Sequence, residues 1–418
     1  MARTILHADV NNFYASVAIR NNPELKNKPV VICGDPEKRH GIVLAKSNEA
    51  KKAGIKTGDT VLEAQRKIKN LIILPPDYKQ YMKFSNIIYN IYKEYTPLVE
   101  SFGLDECWLD VTGTEKLFGD GETVANTIRE RIKNEVGLTI SVGVSFTKIF
   151  AKLGSDIKKP DAVTIIDKNN YRKVAWTLPV GDMLGIGRSI VEKLNKINVF
   201  TIGELANTPI FVLNKLFGKV GEKLYEYANG LDCDEVGYYN SSHLPESVSN
   251  GSTTDKDINN MHDAMTLIYS LSEIIAFRLR SYRLVANGVS LSVRNSKLES
   301  FVRQRKLTFP IDDSYNIAEE AIALLKENYC FERDLPIRTV TVGTYKLTPV
   351  SCDVQMTLFD DDIAKKRLID RQIDKLRSKY GYSVLKRAIE INEHFSCDAR
   401  EIEDGFLPFD KSKNQVDE

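Results

Sequence analysis

Two short stretches of the chain place bare carboxylates at the end of an apolar run. One is Ile5-Leu6-His7-Ala8-Asp9-Val10, followed by Asn11-Asn12-Phe13-Tyr14-Ala15-Ser16. The other is Ser101-Phe102-Gly103-Leu104-Asp105-Glu106-Cys107-Trp108-Leu109-Asp110-Val111. A strand that buries its neighbours holds an unpaired Asp, or an adjacent Asp-Glu, only at a large desolvation cost unless something cationic neutralises them. An all-oxygen ligand set suits a hard ion such as Mg²⁺ and not zinc or iron. Two such ions roughly 3.5–4 Å apart form the clamp used for in-line phosphoryl displacement. The pattern points to a metal-dependent nucleotidyl transferase. The plainer reading is a strand-end carboxylate that faces solvent or pairs with Lys. It suits Asp9 alone but not Asp9, Asp105 and Glu106 together.

Such groups need rigid elements behind them. Residues 4–10 read as a buried strand and 11–20 as a helix. A strand ending at Gly103, a turn at the carboxylate pair and a strand over 107–111 form a hairpin with acids at its tip. Helices are expected over 81–95, with Ile87, Ile88, Ile91 and Tyr92 on the apolar side, and over 121–136 and 148–157. Strands are expected over 138–144 and 162–166. Strands crossed by helices on one side describe an α+β palm. Strands at 30–33 and 41–45, a short helix at 47–53 and a capping box at Thr60-Val61-Leu62-Glu63 make a small subdomain inserted after the first strand.

From Pro179 the texture changes. Val180 to Ser189 contains Gly185-Ile186-Gly187-Arg188, Thr201-Ile202-Gly203-Glu204 caps another helix, and Leu216-Phe217-Gly218-Lys219-Val220-Gly221 opens a third. Glycine-flanked turns between short helices offer backbone N–H groups that hold a phosphate without reading sequence, in the manner of paired helix-hairpin-helix motifs. Residues 234–246 read as a linker. Residues 249–348 then give β-α-β-β-α-β, a split β-α-β sandwich with one open sheet face. Its two middle strands, 287–293 and 301–309, read as central and carry most of a basic belt that includes Arg294, Arg303 and Arg305. A charged helix is expected over 364–380.

The composition fits this layout. With 418 residues, two to four domains are expected, and 42% hydrophobic with 28% charged residues describes an ordinary globular protein. The apolar runs fall short of the about eighteen residues that span a bilayer, and Asp9 interrupts any signal-peptide core, so a cytoplasmic location is expected. Six scattered cysteines form no CxxC pair, which argues against a disulfide framework or a zinc site. The net charge of +1 hides a basic belt offset by an acidic site and an acidic tail, a distribution suited to binding phosphates on one face.

Three segments carry a family likeness: Asp9-Val10-Asn11-Asn12-Phe13-Tyr14-Ala15-Ser16, Ser101 to Asp110, and Ser141-Val142-Gly143-Val144-Ser145-Phe146-Thr147-Lys148-Ile149-Phe150-Ala151-Lys152. Through them the chain resembles the Y-family translesion DNA polymerases over residues 4 to about 350. The resemblance implies an α+β multidomain right-hand polymerase. Its palm would occupy 1–10 and 78–167, small fingers 11–77, a helix-hairpin-helix thumb 168–233, a β-α-β-β-α-β little finger 247–349 and a tail 350–418. It implies that Asp9, Asp105, Glu106 and the Val10 carbonyl hold two Mg²⁺ ions. Phe13 and Tyr14 would flank the sugar of the incoming dNTP, Tyr14 as the steric gate, and Lys159 would contact its triphosphate. Where many relatives carry Thr, Tyr and Arg, this chain has Ala45, Asn48 and Lys51. Lys51 keeps the charge without the bidentate fork, and Asn48 can donate a hydrogen bond but cannot stack.

Gln355-Met356-Thr357-Leu358-Phe359 looks like the peptide by which bacterial polymerases bind the sliding clamp, with Gln355, Leu358 and Phe359 as its anchors. Primer–template DNA, through Gly185, Gly187, Arg188, Gly218, Gly221, Arg294, Arg303 and Arg305, would be the main partner of a monomeric enzyme. Two other classes compete. A palm-type nucleotide cyclase needs no thumb or basic domain, and a non-catalytic clamp-bound DNA-binding factor has no use for three carboxylates.

Overall fold

The structure is a computed structural model that describes residues 3–34, 41–238, 244–350 and 361–390, apart from 382, 383 and 386. Two compact units divide the chain, one reaching Ser241 and the other starting at Ser242.

In the first unit, β1 (Ile5–Val10) and α1 (Phe13–Asn21) lead to β2 (Val30–Cys33), β3 (Val43–Lys46), α2 (Asn48–Lys52), α3 (Val61–Lys67) and β4 (Ile72–Leu74). Then follow α4 (Tyr78–Lys93), β5 (Val99–Phe102), β6 (Glu106–Asp110), α5 (Glu115–Phe118), α6 (Gly121–Arg131), β7 (Ile140–Ser145), α7 (Lys148–Ile157) and β8 (Val163–Ile166). The sheet order is β5-β6-β1-β7-β8, antiparallel except for the parallel β7–β8 pair. Every residue of β1 and β7 is buried. The alternation of Ile140, Val142 and Val144 with Ser141, Gly143 and Ser145 in β7 therefore does not mark a solvent face, since α7 covers the small-residue side. Leu6, Ala8 and Val10 pack with Phe13, Tyr81, Phe84, Ile88 and Ile128 in one core.

Helix α7 lies so close to β7 that a Cβ on Gly143 would stand 1.9 Å from the Ala151 carbonyl oxygen. Only glycine fits, and the backbone contact draws α7 against β7 and the central strand β1. The inserted β2, β3, β4, α2 and α3 have a core of their own around Val31, Val43, Ala50, Ile55 and Ala64. The capping box at Thr60 and Glu63 forms as the sequence predicts. Strand β4, parallel to β2, has no counterpart in the sequence reading, because three residues before Pro75-Pro76 carry too little pattern.

The unit continues through α8 (Tyr171–Val174), α9 (Arg188–Asn195), α10 (Ile202–Asn207), α11 (Ile210–Phe217) and α12 (Lys219–Ala228) around Leu194, Ile202, Leu205, Leu213 and Leu224. Helix α11 is a further addition to the elements expected from sequence.

The second unit contains β9 (Ser247–Ile258), α13 (Met261–Ser281), β10 (Leu284–Asn295), β11 (Ser300–Ile311), α14 (Ser314–Asn328), β12 (Ile337–Pro349) and α15 (Asp361–Tyr380). The order β11-β10-β12-β9 is antiparallel throughout, so β12 splits the β9-α13-β10 unit as expected. One expectation is corrected: β11 is an edge strand, and β10 with β12 forms the centre. Helices α13 and α14 cover one face. Helix α15 is fixed to this layer by ions, with Arg377 pairing to the buried Glu273 of α13 at 2.7 Å. Arg280 pairs with Asp370 at 3.1 Å and with Asp374 at 2.6 Å.

Candidate active site

The register of β1 on β6 sets Asp9 opposite Glu106. Gly103, at φ +82°, supplies the left-handed residue of the β5–β6 turn, and the carbonyl of Asp105 then accepts from the Val10 N–H at 3.0 Å. Beyond Val10 the backbone is pinned through Asn11. Its N–H donates to the Thr139 carbonyl, its amide donates to Ser141 Oγ and its Oδ1 accepts from the Asp161 N–H, all at 2.9 Å. Asn12 takes up φ 50° and donates from Nδ2 to Asn48 Oδ1 at 2.9 Å, which ties α2 to this turn. The three carboxylates and Tyr14 therefore emerge from one hydrogen-bonded frame.

Two lysines enter from the α7 side. Lys152 lies 2.8 Å from Glu106 and 3.3 Å from Asp9, and Lys159 lies 2.7 Å from Asp9 and 2.9 Å from Asp156. Pairing with Lys thus holds for Asp9 and Glu106. It does not extend to Asp105, whose carboxyl is pushed up to about 7 by burial and by the charges of Asp9 and Glu106. Burial also works against ionised Glu106, but contact with His7 and the Lys152 ammonium outweighs it and brings the group down to about 2. Burial likewise opposes a charged Lys152, yet Glu106 and Asp9 hold its ammonium above the usual lysine range.

His7 lies wholly buried beneath Glu106. Its Nδ1 is 2.9 Å from Ser155 Oγ, its Nε2 is 3.3 Å from Glu106 Oε2, and its ring meets Trp108 edge-on. Burial lowers its pKa and keeps the imidazole neutral. Sequence reasoning passed over His7 and Lys152, although both stand inside the quoted motifs, two residues before Asp9 and one helical turn after Lys148.

The donor set fits a hard cation. Asp105 is a partly buried carboxyl with two like charges beside it and no ion pair among the described residues, and Glu106, opposite Asp9 in the β1–β6 register, adds a second carboxylate at the same strand end. Among the described residues no group of three His, Cys, Asp or Glu side chains is already closed into a metal cage, and the two lysines neutralise Asp9 and Glu106.

Tyr14 and Phe13 part company. Tyr14 is half-buried, stacked on Tyr81, and its hydroxyl is pushed up to about 12 by burial and by Asp105. Phe13, expected beside the nucleotide, is 3% exposed and packs in the palm core, because neighbours on a helix point about 100° apart. Lys51 is exposed at the end of α2.

A cavity of about 440 Å³ opens between Lys152 and Asp156 of α7 and the loop from Gly181 to Gly187. Gly185 and Gly187 have open space where a side chain would be, as has Gly218 at φ +60°, whereas Arg188 is 93% exposed and pairs with Glu192. Gly221 is corrected: it lies inside α12, where a Cβ would stand 2.3 Å from the Leu213 carbonyl oxygen, so it serves helix packing. Arg303 and Arg305 are corrected as well. They share a face of β11 with Phe301 and Leu307, and they reach Asn328, Glu320 and Glu327 of α14. Strand alternation leaves Arg294, Ser290 and Ser292 of β10 and Gln304 and Lys306 of β11 on the open face. Gln355, Leu358 and Phe359 lie outside the described residues.

A palm sheet with carboxylates at one end, a helical thumb and a separate β-α-β-β-α-β unit define a DNA-directed DNA polymerase. Comparison with known proteins agrees. The impB/mucB/samB family profile matches residues 8–156, its C-terminal domain profile matches 245–358, and the thumb-domain profile of DNA polymerase-iota matches 181–232. DNA polymerase IV of Acetivibrio thermocellus is 44% identical over 94% of this chain and 98% of its own. DNA polymerase IV of Clostridium acetobutylicum is 33% identical over 93% and 98%, and DNA polymerase IV 1 of Bacillus subtilis 33% over 94% and 95%. The solved structure of a Y-family DNA polymerase chimera superposes with a TM-score of 0.72 at 22% identity, covering 83% of this chain and 99% of that one. The chain belongs to the Y-family of translesion DNA polymerases. The cyclase and DNA-binding-factor readings find no support in these matches.

Proposed function

We propose that this polymerase adds a dNMP to a primer 3′-OH at the β1–β6 end, with Asp9, Asp105, Glu106 and the Val10 carbonyl as the ligands of two Mg²⁺ ions. The observation that carries this reading is the convergence of three carboxylates on one frame, with Asp105 left without an ion pair among the described residues. Bound there, the ions would supply Lewis acidity to the attacking and leaving oxygens.

The chain's own residues do the rest. His7 and Ser155 hold Glu106 from below. Lys152 keeps Glu106 ionised and, with Lys159, opposes the burial that raises the Asp9 carboxyl, and Lys159 offers its ammonium to the triphosphate as charge builds on the leaving pyrophosphate. Tyr14 closes the sugar side and rejects a ribose 2′-OH. Asn48, oriented by Asn12, and Lys51 face the phosphates. The small inserted fingers favour a loose nascent-pair pocket, and with it low fidelity and lesion bypass. Gly185, Gly187, Arg188 and Gly218 hold the duplex backbone, joined by Arg294 and Lys306 from the open sheet face. Residues 355–359 bind a sliding clamp, and the enzyme works as a cytoplasmic monomer within the domain limits given above.

The test is extension of a primed template with Mg²⁺ and single dNTPs, comparing wild type with Glu106→Gln. Template-matched addition that vanishes in the variant is expected. Normal extension by the variant would remove the metal assignment.

A further inference from the structure

We infer that Tyr78 is a positioning residue for sugar selection, acting through the ring of Tyr14; this rests on the reading of Tyr14 as the gate. A gate discriminates only while its ring stays where the 2′-OH would be, so what fixes the ring matters as much as the ring. Tyr14 stacks on Tyr81 with centroids 4.2 Å apart and planes 16° from parallel. Tyr81 is 1% exposed and leans on Phe13 at 6.0 Å, so it forms a fixed wall. A stack resists tilting but permits sliding in its own plane. Tyr78 meets Tyr14 edge-on, at 6.1 Å and 80°, and also meets Tyr81, at 5.7 Å and 84°. Two contacts at nearly right angles leave the gate ring one orientation.

Tyr78 and Tyr81 stand three residues apart at the start of α4, one helical turn on one face, and that start is capped by Asp77, whose side chain accepts from the Gln80 N–H at 3.1 Å. Tyr78 is half-buried, so the three-ring cluster opens toward the solvent side of the palm while Tyr81 closes it from the core. Neither Tyr78 nor its contact with Tyr14 is predictable from residue spacing, since the two lie on helices 64 positions apart in sequence, and only their packing brings the rings together.

The experiment compares wild type, Tyr78→Ala, Tyr78→Leu, Tyr78→Phe and Tyr14→Ala, reading kcat/KM for a matched dNTP and the corresponding rNTP on one primed template. Tyr78→Ala and Tyr78→Leu are expected to raise the rNTP/dNTP ratio by about tenfold, the size of one lost ring–ring contact. Their dNTP kcat/KM should change far less. Tyr78→Phe, which keeps the ring edge, should restore the wild-type ratio, whereas a merely structural role would lower both nucleotides alike. The leucine variant keeps apolar bulk and covers the case in which alanine prevents folding. An unchanged ratio in Tyr78→Leu, while Tyr14→Ala admits ribonucleotides, overturns this inference alone. An unchanged ratio in Tyr14→Ala overturns the gate reading beneath it.

Discussion

The palm sheet and the sheet of the second unit are built alike, each of mainly antiparallel strands under helices, yet they treat charge in opposite ways. In the palm, Asp9, Asp105 and Glu106 crowd one end, and the lysines that reach them leave Asp105 with a carboxyl pushed up to about 7. In the second unit the ions that join α13 to α15 are matched. Glu273, 5% exposed, receives Arg377 and Arg387, and Arg280 receives Asp370 and Asp374. Matched ions hold a helix in place, while unmatched ions store a demand for something from outside. The same residue types therefore read as structure in one place and as a ligand site in the other.

The comparison breaks most visibly at Asp105. Asp105→Asn should lower primer extension by at least about a thousandfold. It should also raise the stability of the metal-free protein, by on the order of 1 kcal/mol in thermal unfolding at pH 8, because it removes a disfavoured charge from a site still partly open to solvent. Glu273→Gln should do the reverse, costing about 3 kcal/mol in urea unfolding by leaving Arg377 buried without its partner, with single-nucleotide addition per folded molecule preserved.

Acid sharpens the contrast. A folded-state carboxyl near 7 against an ordinary 3.8 binds its proton more tightly than the unfolded chain does, so metal-free stability falls as pH rises through that window. A divalent cation must displace the same proton. Its apparent affinity should therefore be about tenfold weaker at pH 6 than on the plateau above pH 7, measured by Mn²⁺ or Mg²⁺ titration. A pH-independent affinity would contradict the Asp105 assignment. The smallest effect is expected on DNA binding. Lys306→Ala should reduce the slope of log affinity against log salt by about 1, whereas Arg305→Ala, whose charge is already met by Glu320 and Glu327, should leave it unchanged.

How much of this was legible in the sequence follows from the range of the forces involved. Strands, caps and the acid-tipped hairpin are set by neighbours a few residues apart, so β1, β6, α7 and the Thr60 box could be read directly. The facing of Arg303 and Arg305 could not, since it depends on which side of β11 the helices cover. Nor could the anchoring of α15, read from sequence only as a charged helix, because Arg377 meets an acid 104 positions away. In the site, the carboxylates announced themselves by chemical type. His7 did not, because its role lies in a contact with Glu106 across the strand pair.

The glycine at 143 carries a consequence for how this enzyme can be altered. With the Ala151 carbonyl only 1.9 Å from where its first side-chain carbon would sit, the spacing of α7 from the sheet is set by main chain against main chain. Lys152 and Ser155 ride on that helix, so no exchange of packing residues can retune them one at a time. They move as a block or not at all. Engineering that seeks a new nucleotide preference has room to manoeuvre in the inserted β2–β4 subdomain, whose small core is separate, and has almost none along β7.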